Sequence, residues 1–216
     1  MNANLDNKKY VFEILFILFL FILFSFIVHR NIDFISSLFD TPFGMLVYIF
    51  IVILAVVIAP VSALPLLPVA SQLWGWFLAG IFGIIGWTIG GLIAFEISRK
   101  YGVPLVKTLI PLEDLYKIEK KIPSKNIFWS IVFLRLLFPV DILSYALGLF
   151  SKISRKDFIL TTLIGVTPFA FAWAYLGSLP IYYQIVGLWL ASMIFLTGWL
   201  ITLVRKKLKI RKKREG

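Results

Sequence analysis

The sequence predicts an all-α integral membrane protein with four full transmembrane helices and two re-entrant helical hairpins arranged as an inverted repeat. Of its 216 residues, 60% are hydrophobic and only 15% are charged, whereas a soluble domain has roughly 45–50% apolar and about 25% charged residues. The apolar residues form helix-length blocks separated by short charged segments, which is typical of a chain that crosses a bilayer. Prolines interrupt some blocks, and this favours hairpins over straight helices there.

The formal net charge of +11 is concentrated in a few segments, namely 98–126, 151–157 and the C-terminal tail 205–216. Beside so much apolar sequence, these segments indicate membrane topology and contact with anionic lipid headgroups, and we predict no nucleic-acid partner. The chain has no cysteine and a single histidine, His29, so we predict no metal and no cofactor. The HExxH, GxSxG and P-loop motifs are also missing from the sequence, which predicts that the protein is not an enzyme.

Residues 1–42 are predicted to form an N-terminal span over 10–28 and a loop over 29–42. A helix over 10–28 is about 28 Å long, enough for a hydrocarbon core of about 30 Å. Lys8 and Lys9 before this apolar run suggest a signal peptide, but the run is long and lacks a small-residue cleavage site. We therefore predict an uncleaved first span.

Residues 43–180 are predicted to form the core, beginning with a hairpin over 43–78 and a span over 79–97. Pro60, Pro65 and Pro68 argue against one continuous helix in the hairpin. The alternative, a full span over 43–59, would place the N-terminus on the opposite side of the membrane. In the glycine-rich span, Gly86-x-x-x-Gly90 is typical of close helix contact.

The second half of the core is predicted to contain a basic amphipathic loop over 98–126, a hairpin over 127–150 and a span over 158–177. In the loop, the amphipathic stretch 112–122 is expected to lie on the membrane surface. The hairpin is expected to break near Phe138-Pro139, because each arm is too short to cross the bilayer. Residues 181–216 are predicted to form the last span, over 181–204, and a basic cytoplasmic tail.

The distribution of charge agrees with this topology. If both hairpins return to the side from which they enter, most of the 22 Lys and Arg residues share one side with both termini. The positive-inside rule then predicts cytoplasmic N- and C-termini, most simply in the cell membrane. The inverted repeat rests on an offset of 79 residues, which places Pro60-Val61-Ser62 on Pro139-Val140-Asp141 and Ile85-Gly86 on Ile164-Gly165.

Arg135 and Asp141 are the charged residues of the second hairpin. A charge near mid-membrane costs a few kcal/mol and usually faces a cavity or a partner. A helix break at Pro139 lets the two side chains approach each other. Two readings remain open, a site that binds a headgroup phosphate or relays a proton, and a buried ion pair that locks the hairpin. Elsewhere, the three-residue spacing of Glu96 and Arg99 predicts an ion pair along one helix face.

Several motifs together resemble the DedA superfamily, also called VTT-domain or SNARE-associated membrane proteins. Gly86-Trp-Thr-Ile-Gly90, followed by Phe95-Glu-Ile-Ser98-Arg99-Lys-Tyr-Gly102, is similar to the family pattern G-x-x-x-G…[FY]-x-x-[GS]-R-x-x-G. The run from Phe133 to Gly148 resembles the family's second hairpin. The family sequence that follows this hairpin is similar to three further segments of the chain, namely Ile153 to Phe158, Gly165-Val-Thr-Pro168 and Tyr175-Leu-Gly177. The resemblance covers roughly 45–180.

The resemblance implies two re-entrant hairpins and a role in lipid scrambling or lipid-carrier flipping, sometimes coupled to protons or membrane potential. The family's essential arginine and hairpin acid fall on Arg135 and Asp141, and Ser144 and Tyr145 join them as candidate substrate- or proton-binding residues. Structural roles are implied for motif positions at Pro60, Gly86, Gly90, Arg99, Gly102, Pro139, Gly148, Gly165 and Pro168. The chain departs from the family where Ser144 replaces a frequent Asn, and where Ser62 stands in place of a first-hairpin acid.

The function expected from these observations is a lipid transporter, scramblase or flippase whose partners are membrane lipids, with anionic headgroups at the basic inner loops. Two alternatives remain open. One is a secondary transporter for a small solute or an ion, and the other is a non-catalytic factor for membrane assembly or trafficking.

Overall fold

The structure, a computed structural model, describes residues 3–39, 41–58, 62–119, 126–190 and 192–193, with the backbone alone at 3–14, 117 and 137. Every regular element in these ranges is helical, which confirms the all-α prediction. A short 3₁₀ turn, Leu64–Leu66, precedes the fourth helix. The helices are α1 (Ala3–Arg30), α2 (Ile32–Phe39), α3 (Pro42–Val57), α4 (Leu67–Val106), α5 (Leu112–Glu119), α6 (Ile127–Leu137), α7 (Val140–Phe150), α8 (Arg155–Ser178) and α9 (Ile181–Leu190).

Two helical segments of the described chain, Leu64–Val106 and Arg155–Ser178, are long and apolar enough to cross a membrane. The bent pair Leu15–Arg30 and Ile32–Phe39 makes a third if it counts as one span. The protein is therefore an integral membrane protein with membrane-length helices. Half of the predicted last span over 181–204, and the whole basic tail, lie outside the described residues.

The N-terminal region is more helical than predicted. The predicted span over 10–28 lies within α1, but the predicted loop over 29–42 is wrong, because Ile32–Phe39 forms α2 at 92° to α1. Phe34 and Leu38 stand one helical turn apart and are both exposed, so α2 presents an apolar face that a loop would not organise. Thr41 then caps α3, since its Oγ1 accepts a bond of 3.0 Å from the Gly44 amide.

The chain reverses direction at Gly75, inside the helix α4. Gly75 has φ 79°, a backbone conformation that favours glycine. A Cβ at Gly83 would lie 3.4 Å from Leu67 Cδ2, whereas a straight helix would separate these two positions by about 24 Å. The segment 67–74 therefore packs antiparallel to the segment after Gly75. The predicted boundary between hairpin and span, at 78–79, moves to this glycine.

The break of the first hairpin lies between α3 and the 3₁₀ turn, and Pro60 falls outside the described residues. Beyond Gly75, α4 packs against α3 at Gly86 and Gly90. A Cβ at Gly86 would lie 2.6 Å from Val52 Cγ1, and one at Gly90 would lie 2.9 Å from Val56 Cβ. Only glycine allows the two helices to come this close.

The second hairpin consists of α6 and α7, which are separated by Phe138 and Pro139. At Gly148, α7 packs against Ser98 and the Phe95 carbonyl of α4. A related contact joins the first hairpin to α8, where a Cβ at Gly177 would lie 2.8 Å from Pro68 Cα. Ser98 and Gly177 differ by the offset of 79, and Pro68 and Gly148 differ by 80, so each long helix packs on the other hairpin at positions that match to within one residue.

The amphipathic stretch after α4 packs on protein. Near the C-terminal end of α4, the backbone of Gly102 is non-helical, with φ 67°. The next helix, α5, spans Leu112–Glu119. The apolar side chains of Leu115 and Ile118 are buried in the core with Val106. The expectation that this apolar face lies on the membrane surface is therefore wrong, because the core of α4 and α7 covers it.

The helix that follows α7 begins earlier in the sequence than the predicted span over 158–177. The helix α8 starts at Arg155, where Ser154 Oγ accepts a bond from the Asp157 amide, and it continues through Pro168. Residues from Leu179 onward form a second compact unit. In that unit, α9 is preceded by Pro180, whose carbonyl accepts bonds from the amides of Tyr183 and Gln184.

Gly148→Ala is expected to destabilise the protein, because its Cβ would meet the α4 backbone at Phe95. Overpacking of this kind costs about 1–3 kcal/mol. The matched control is Gly83→Ala, where the new Cβ makes an ordinary contact of 3.4 Å with a flexible leucine end. Thermal unfolding in detergent, followed by gel filtration with fluorescence detection, should show a lower midpoint for Gly148→Ala only. Equal midpoints would contradict the close α7–α4 packing.

Candidate functional site

Arg135 lies in the last turn of α6, and Gly165 determines where its side chain goes. A Cβ at Gly165 would lie 2.6 Å from Arg135 Cβ, so α6 and α8 approach to backbone distance at this point. This contact directs the guanidinium toward the beginning of α8 and of α7. Arg135 is 4% exposed, so the guanidinium is removed from solvent and lipid alike.

The buried guanidinium is held by neutral oxygens of three residues. Its Nη1 donates to the Val140 carbonyl at 2.9 Å and to Ser144 Oγ at 3.0 Å. Its Nη2 donates to Thr162 Oγ1 at 2.9 Å. In the described part of the chain, Nε has no hydrogen-bond partner. The arginine therefore joins α6 to both α7 and α8, and its Nε–H points to no acceptor of the described residues.

Asp141 lies in the first turn of α7, immediately after the break at Pro139. A carboxylate is stabilised at this position, because the first turn of a helix presents unpaired amides and the positive end of its dipole. Asp141 is 9% exposed. It lines a cavity of about 390 Å³ at the two hairpin breaks, together with Ser62, Leu64, Trp87, Arg135 and Pro139.

The buried Arg135–Asp141 ion pair, one of the two readings left open by the sequence, is not formed among the described residues. Both side chains are buried and both line the cavity, but the hydrogen bonds of Arg135 go to uncharged oxygens. No carboxylate of the described residues lies within 4.0 Å of its nitrogens, the distance that defines a salt bridge. Asp141 occupies the first turn of α7, whereas Arg135 reaches Ser144 in the next turn of that helix. The pair therefore does not lock the hairpin by direct contact.

Two stacked aromatic rings with a cation on each outer face connect Arg135 to the basic end of α4. The Arg135 guanidinium carbon lies 4.9 Å from the centre of the Phe158 ring, and Phe158 stacks on Phe95 at 4.3 Å. Arg99 lies over Phe95 at 4.1 Å. Each cation over a ring contributes about 0.5–2 kcal/mol, more where water is excluded.

The predicted ion pair between Glu96 and Arg99 is wrong, because the fold brings a better partner to each. Glu96 forms a bidentate pair with Arg155 of α8, at 2.6 Å and 2.8 Å. Arg99 instead donates to the Ser151 carbonyl at 3.0 Å, at the C-terminal end of α7. These contacts tie α4 to the connection between α7 and α8. The two charges are visible in the sequence, but Arg155 becomes a neighbour of Glu96 only through folding.

Ser144 and Tyr145, predicted to bind substrate or protons, face protein groups. Ser144 is fully buried, accepts a bond from Arg135 and donates to the Val140 carbonyl. Tyr145 donates at 2.7 Å to the carbonyl of Val57, the last residue of α3. That carbonyl belongs to the helix end that would otherwise lack a partner. Tyr145 therefore connects the second hairpin to the break of the first.

The sequence reasoning missed several residues of the site. Thr162 and Phe158 hold Arg135, and the only signal for Phe158 was its place in the motif ending at that residue. Trp87 and Trp173 also line the cavity, and no pattern in the sequence distinguishes them from the other tryptophans. In the described ranges, no three histidine or acidic side chains come together as a metal site.

Thr162→Val is expected to destabilise the protein more than Thr161→Val. Both threonines are buried and both donate to the Phe158 carbonyl, but only Thr162 accepts a bond from Arg135. A hydrogen bond to a charged group is worth about 1.5–3 kcal/mol, and this should be the difference in unfolding free energy. Reversible unfolding in mixed micelles measures both variants. Equal losses would mean that the Arg135–Thr162 bond contributes nothing.

Tyr145→Phe is expected to lower stability by about 1–3 kcal/mol, because the Val57 carbonyl loses its donor in a buried place. Tyr48→Phe is the matched control. The Tyr48 hydroxyl is buried and has no hydrogen-bond partner in the described structure, so its removal should be neutral or stabilising. Thermal midpoints of the two variants give the comparison, and a larger loss for Tyr48→Phe would refute the assignment.

Comparison of the sequence with known protein families gives a match that covers the elements described above. A family model, the VTT domain, matches residues 34–179, which is more than half of the chain. Comparisons with curated proteins and with solved structures give no match. The matched region starts within α2 and ends just after α8, so it contains both helix breaks, Arg135 and Asp141, and leaves α1 outside. The resemblance seen in the motifs is confirmed, and the chain belongs to the VTT-domain family, the DedA or SNARE-associated membrane proteins.

Proposed function

We propose that the protein moves lipids between the two leaflets of a membrane, as a scramblase or flippase. The observation that carries the proposal is the pair of buried charges, Arg135 and Asp141, beside a cavity at a helix break in a membrane protein. Burying ionisable groups in a bilayer is costly, and such residues commonly mark the path of a polar or charged substrate. Membership of the VTT-domain family supports the same function.

The proposed topology has four full spans and two re-entrant hairpins, with α3 and 64–74 entering from outside and α6 and α7 from the cytoplasm. Helix breaks at membrane depth are tolerated where they line a cavity, and both breaks border the same one. Equivalent contacts at Gly148 and Gly177 support an inverted repeat. The positive-inside rule then favours cytoplasmic termini in a cell membrane.

In this proposal, Arg135 receives the lipid phosphate. Its Nη1 and Nη2 are bound to the hydroxyls of Ser144 and Thr162, and a phosphate oxygen is a stronger acceptor than a hydroxyl. A headgroup that passes the break replaces these two hydroxyls and uses the donor fork of the arginine. The remaining donor, Nε, gives the fork a further point of contact.

In the same proposal, the carboxylate of Asp141 opposes the attraction between Arg135 and the headgroup phosphate. With a phosphate on Arg135, the nearby carboxylate repels the headgroup and so favours its release. Protonation of Asp141 would remove this repulsion, which offers a route to proton coupling. At the cytoplasmic ends, exposed Lys100 and Lys156 and the basic tail would collect anionic headgroups at the surface.

The test is lipid flipping in proteoliposomes made with a fluorescent-headgroup phospholipid, where dithionite bleaches only the outer leaflet. Wild type is expected to flip the lipid, and Arg135→Ala and Asp141→Asn to slow it at least about tenfold, a barrier change of roughly 1.4 kcal/mol. Asp33→Asn, which removes a carboxylate from exposed α2, is the control and should leave the rate unchanged.

Reconstituted amount and thermal stability are measured for each variant, so that a folding defect is not read as a transport defect. Equal flipping by wild type and a folded Arg135→Ala would remove Arg135 from the mechanism. Wild-type vesicles no faster than empty ones, across neutral and anionic lipids, would reject lipid movement and favour a small-solute carrier or an assembly factor.

A further inference from the structure

The cavity beside Arg135 and Asp141 has a wall that the family domain does not supply. Ile17 and Leu18 of α1 line it, and the domain match begins only at residue 34. The helix α1 is fixed nearby at two points. Phe21 packs edge-on against Trp173 at 5.3 Å, and Gln72 Nε2 donates to Ser25 Oγ at 2.8 Å. The position of α1 beside the cavity is therefore a packed one.

The lining of the cavity has a polar part and an apolar part. Ser62, Arg135 and Asp141 supply its polar groups, and all three lie at the hairpin breaks. Away from the breaks, the walls are aliphatic or aromatic, with Leu18, Trp87, Val166, Phe169 and Trp173. A site with a charged end and an apolar body fits an amphiphile better than a water-soluble solute.

The cavity opens sideways, toward the bilayer. Leu136 of α6 and Phe169 of α8 line it and are 48% and 40% exposed. Trp87 and Val166 line its interior and are only 6% and 1% exposed. The outer face of α1 is apolar as well, with Phe19 60% exposed. In a membrane protein, the medium at such an apolar mouth is hydrocarbon.

The volume of the cavity limits the size of the molecule that it can hold. At about 390 Å³ the cavity is near the lower end of ligand pockets, which span roughly 300–1,000 Å³. It has room for one chain and not for a complete two-chain lipid. The rest of the molecule must then remain outside the mouth, between α1 and α6, or lie along the breaks.

We propose that this cavity binds one acyl chain of a bilayer phospholipid, which enters laterally through a mouth bordered by α1, α6 and α8. The inference rests on the proposed lipid function and adds the binding mode, with the chain in the cavity and the headgroup at Arg135 and Asp141. Burial of the chain is favourable against water but contributes little against lipid, because both the cavity and the bilayer interior are apolar. The site therefore holds the chain weakly and exchanges it readily, which suits transport.

The test uses vesicles of phosphatidylethanolamine and phosphatidylglycerol that contain a phospholipid with a photoreactive diazirine in its acyl chain. After illumination, labelled positions are mapped by mass spectrometry. Trp87 and Val166 are expected to carry label, because only a chain inside the cavity reaches them. Phe50, 59% exposed on α3, reports the boundary lipid and should be labelled in every sample.

Leu18→Trp fills the cavity and is expected to reduce label at Trp87 and Val166 several-fold, with Phe50 unchanged. Leu15→Trp is the matched control, since Leu15 lies one turn away on the same helix, is 59% exposed and is outside the lining. Ile17→Trp is a second blocking variant if Leu18→Trp does not fold. The same labelling with a photoreactive fatty acid tests whether a free acid is the preferred occupant.

Absence of label at Trp87 and Val166 beside normal label at Phe50 would overturn the proposal, as would equal label in a folded Leu18→Trp. Preference for the fatty acid would overturn the phospholipid assignment. Labelling does not require transport, so the two hypotheses separate. Cavity label without flipping would reject lipid movement and keep the chain site, whereas flipping without cavity label would reject the chain site alone.

Discussion

A membrane interior solvates neither a guanidinium nor an interrupted backbone, and the structure around Arg135 is organised by that constraint. Two of its nitrogens bind oxygens of Val140, Ser144 and Thr162, and Phe158 covers its face. Since the bonded residues lie on α7 and α8, satisfying one side chain fixes three helices at the break of the second hairpin. Each bond to a charged group is worth about 1.5–3 kcal/mol, so this arrangement is strongly preferred over any that leaves the guanidinium without hydrogen-bond acceptors.

Glycine makes this arrangement sterically possible. Gly165 admits α6 against α8, and without that contact Thr162 would not reach the guanidinium. Gly91 admits Ser144 of α7 in a similar way, since a Cβ there would lie 2.9 Å from its hydroxyl oxygen. In water such contacts would add hydrophobic burial, but within a bilayer they act through close packing and through the polar bonds that close packing allows. Small residues and buried hydrogen bonds therefore act together in this protein, because the glycines allow the close approach across which the hydrogen bonds form.

The two hairpins also depend on each other. Tyr145 of the second supplies the donor for the Val57 carbonyl beside the first break, and both breaks border one cavity. Charge is confined to the second hairpin, because Ser62 stands where the repeat offset would place a counterpart of Asp141. The two helix breaks therefore border one cavity with chemically different groups. The helix α1, outside the family domain, adds an apolar wall next to those charges.

The sequence by itself determined the helical class, the membrane setting, the family and the break at Phe138-Pro139, because each depends on local properties: hydropathy, proline and short motifs. It also located Arg135 and Asp141, since a charge in an apolar block is conspicuous. Tertiary structure alone decided their partners. Glu96 pairs with Arg155, 59 residues along the chain, and Arg135 binds Thr162, 27 residues along, and no local pattern encodes such distances. The reversal at Gly75 was likewise hidden, because a glycine in an apolar run is compatible with either a straight helix or a turn until packing selects one.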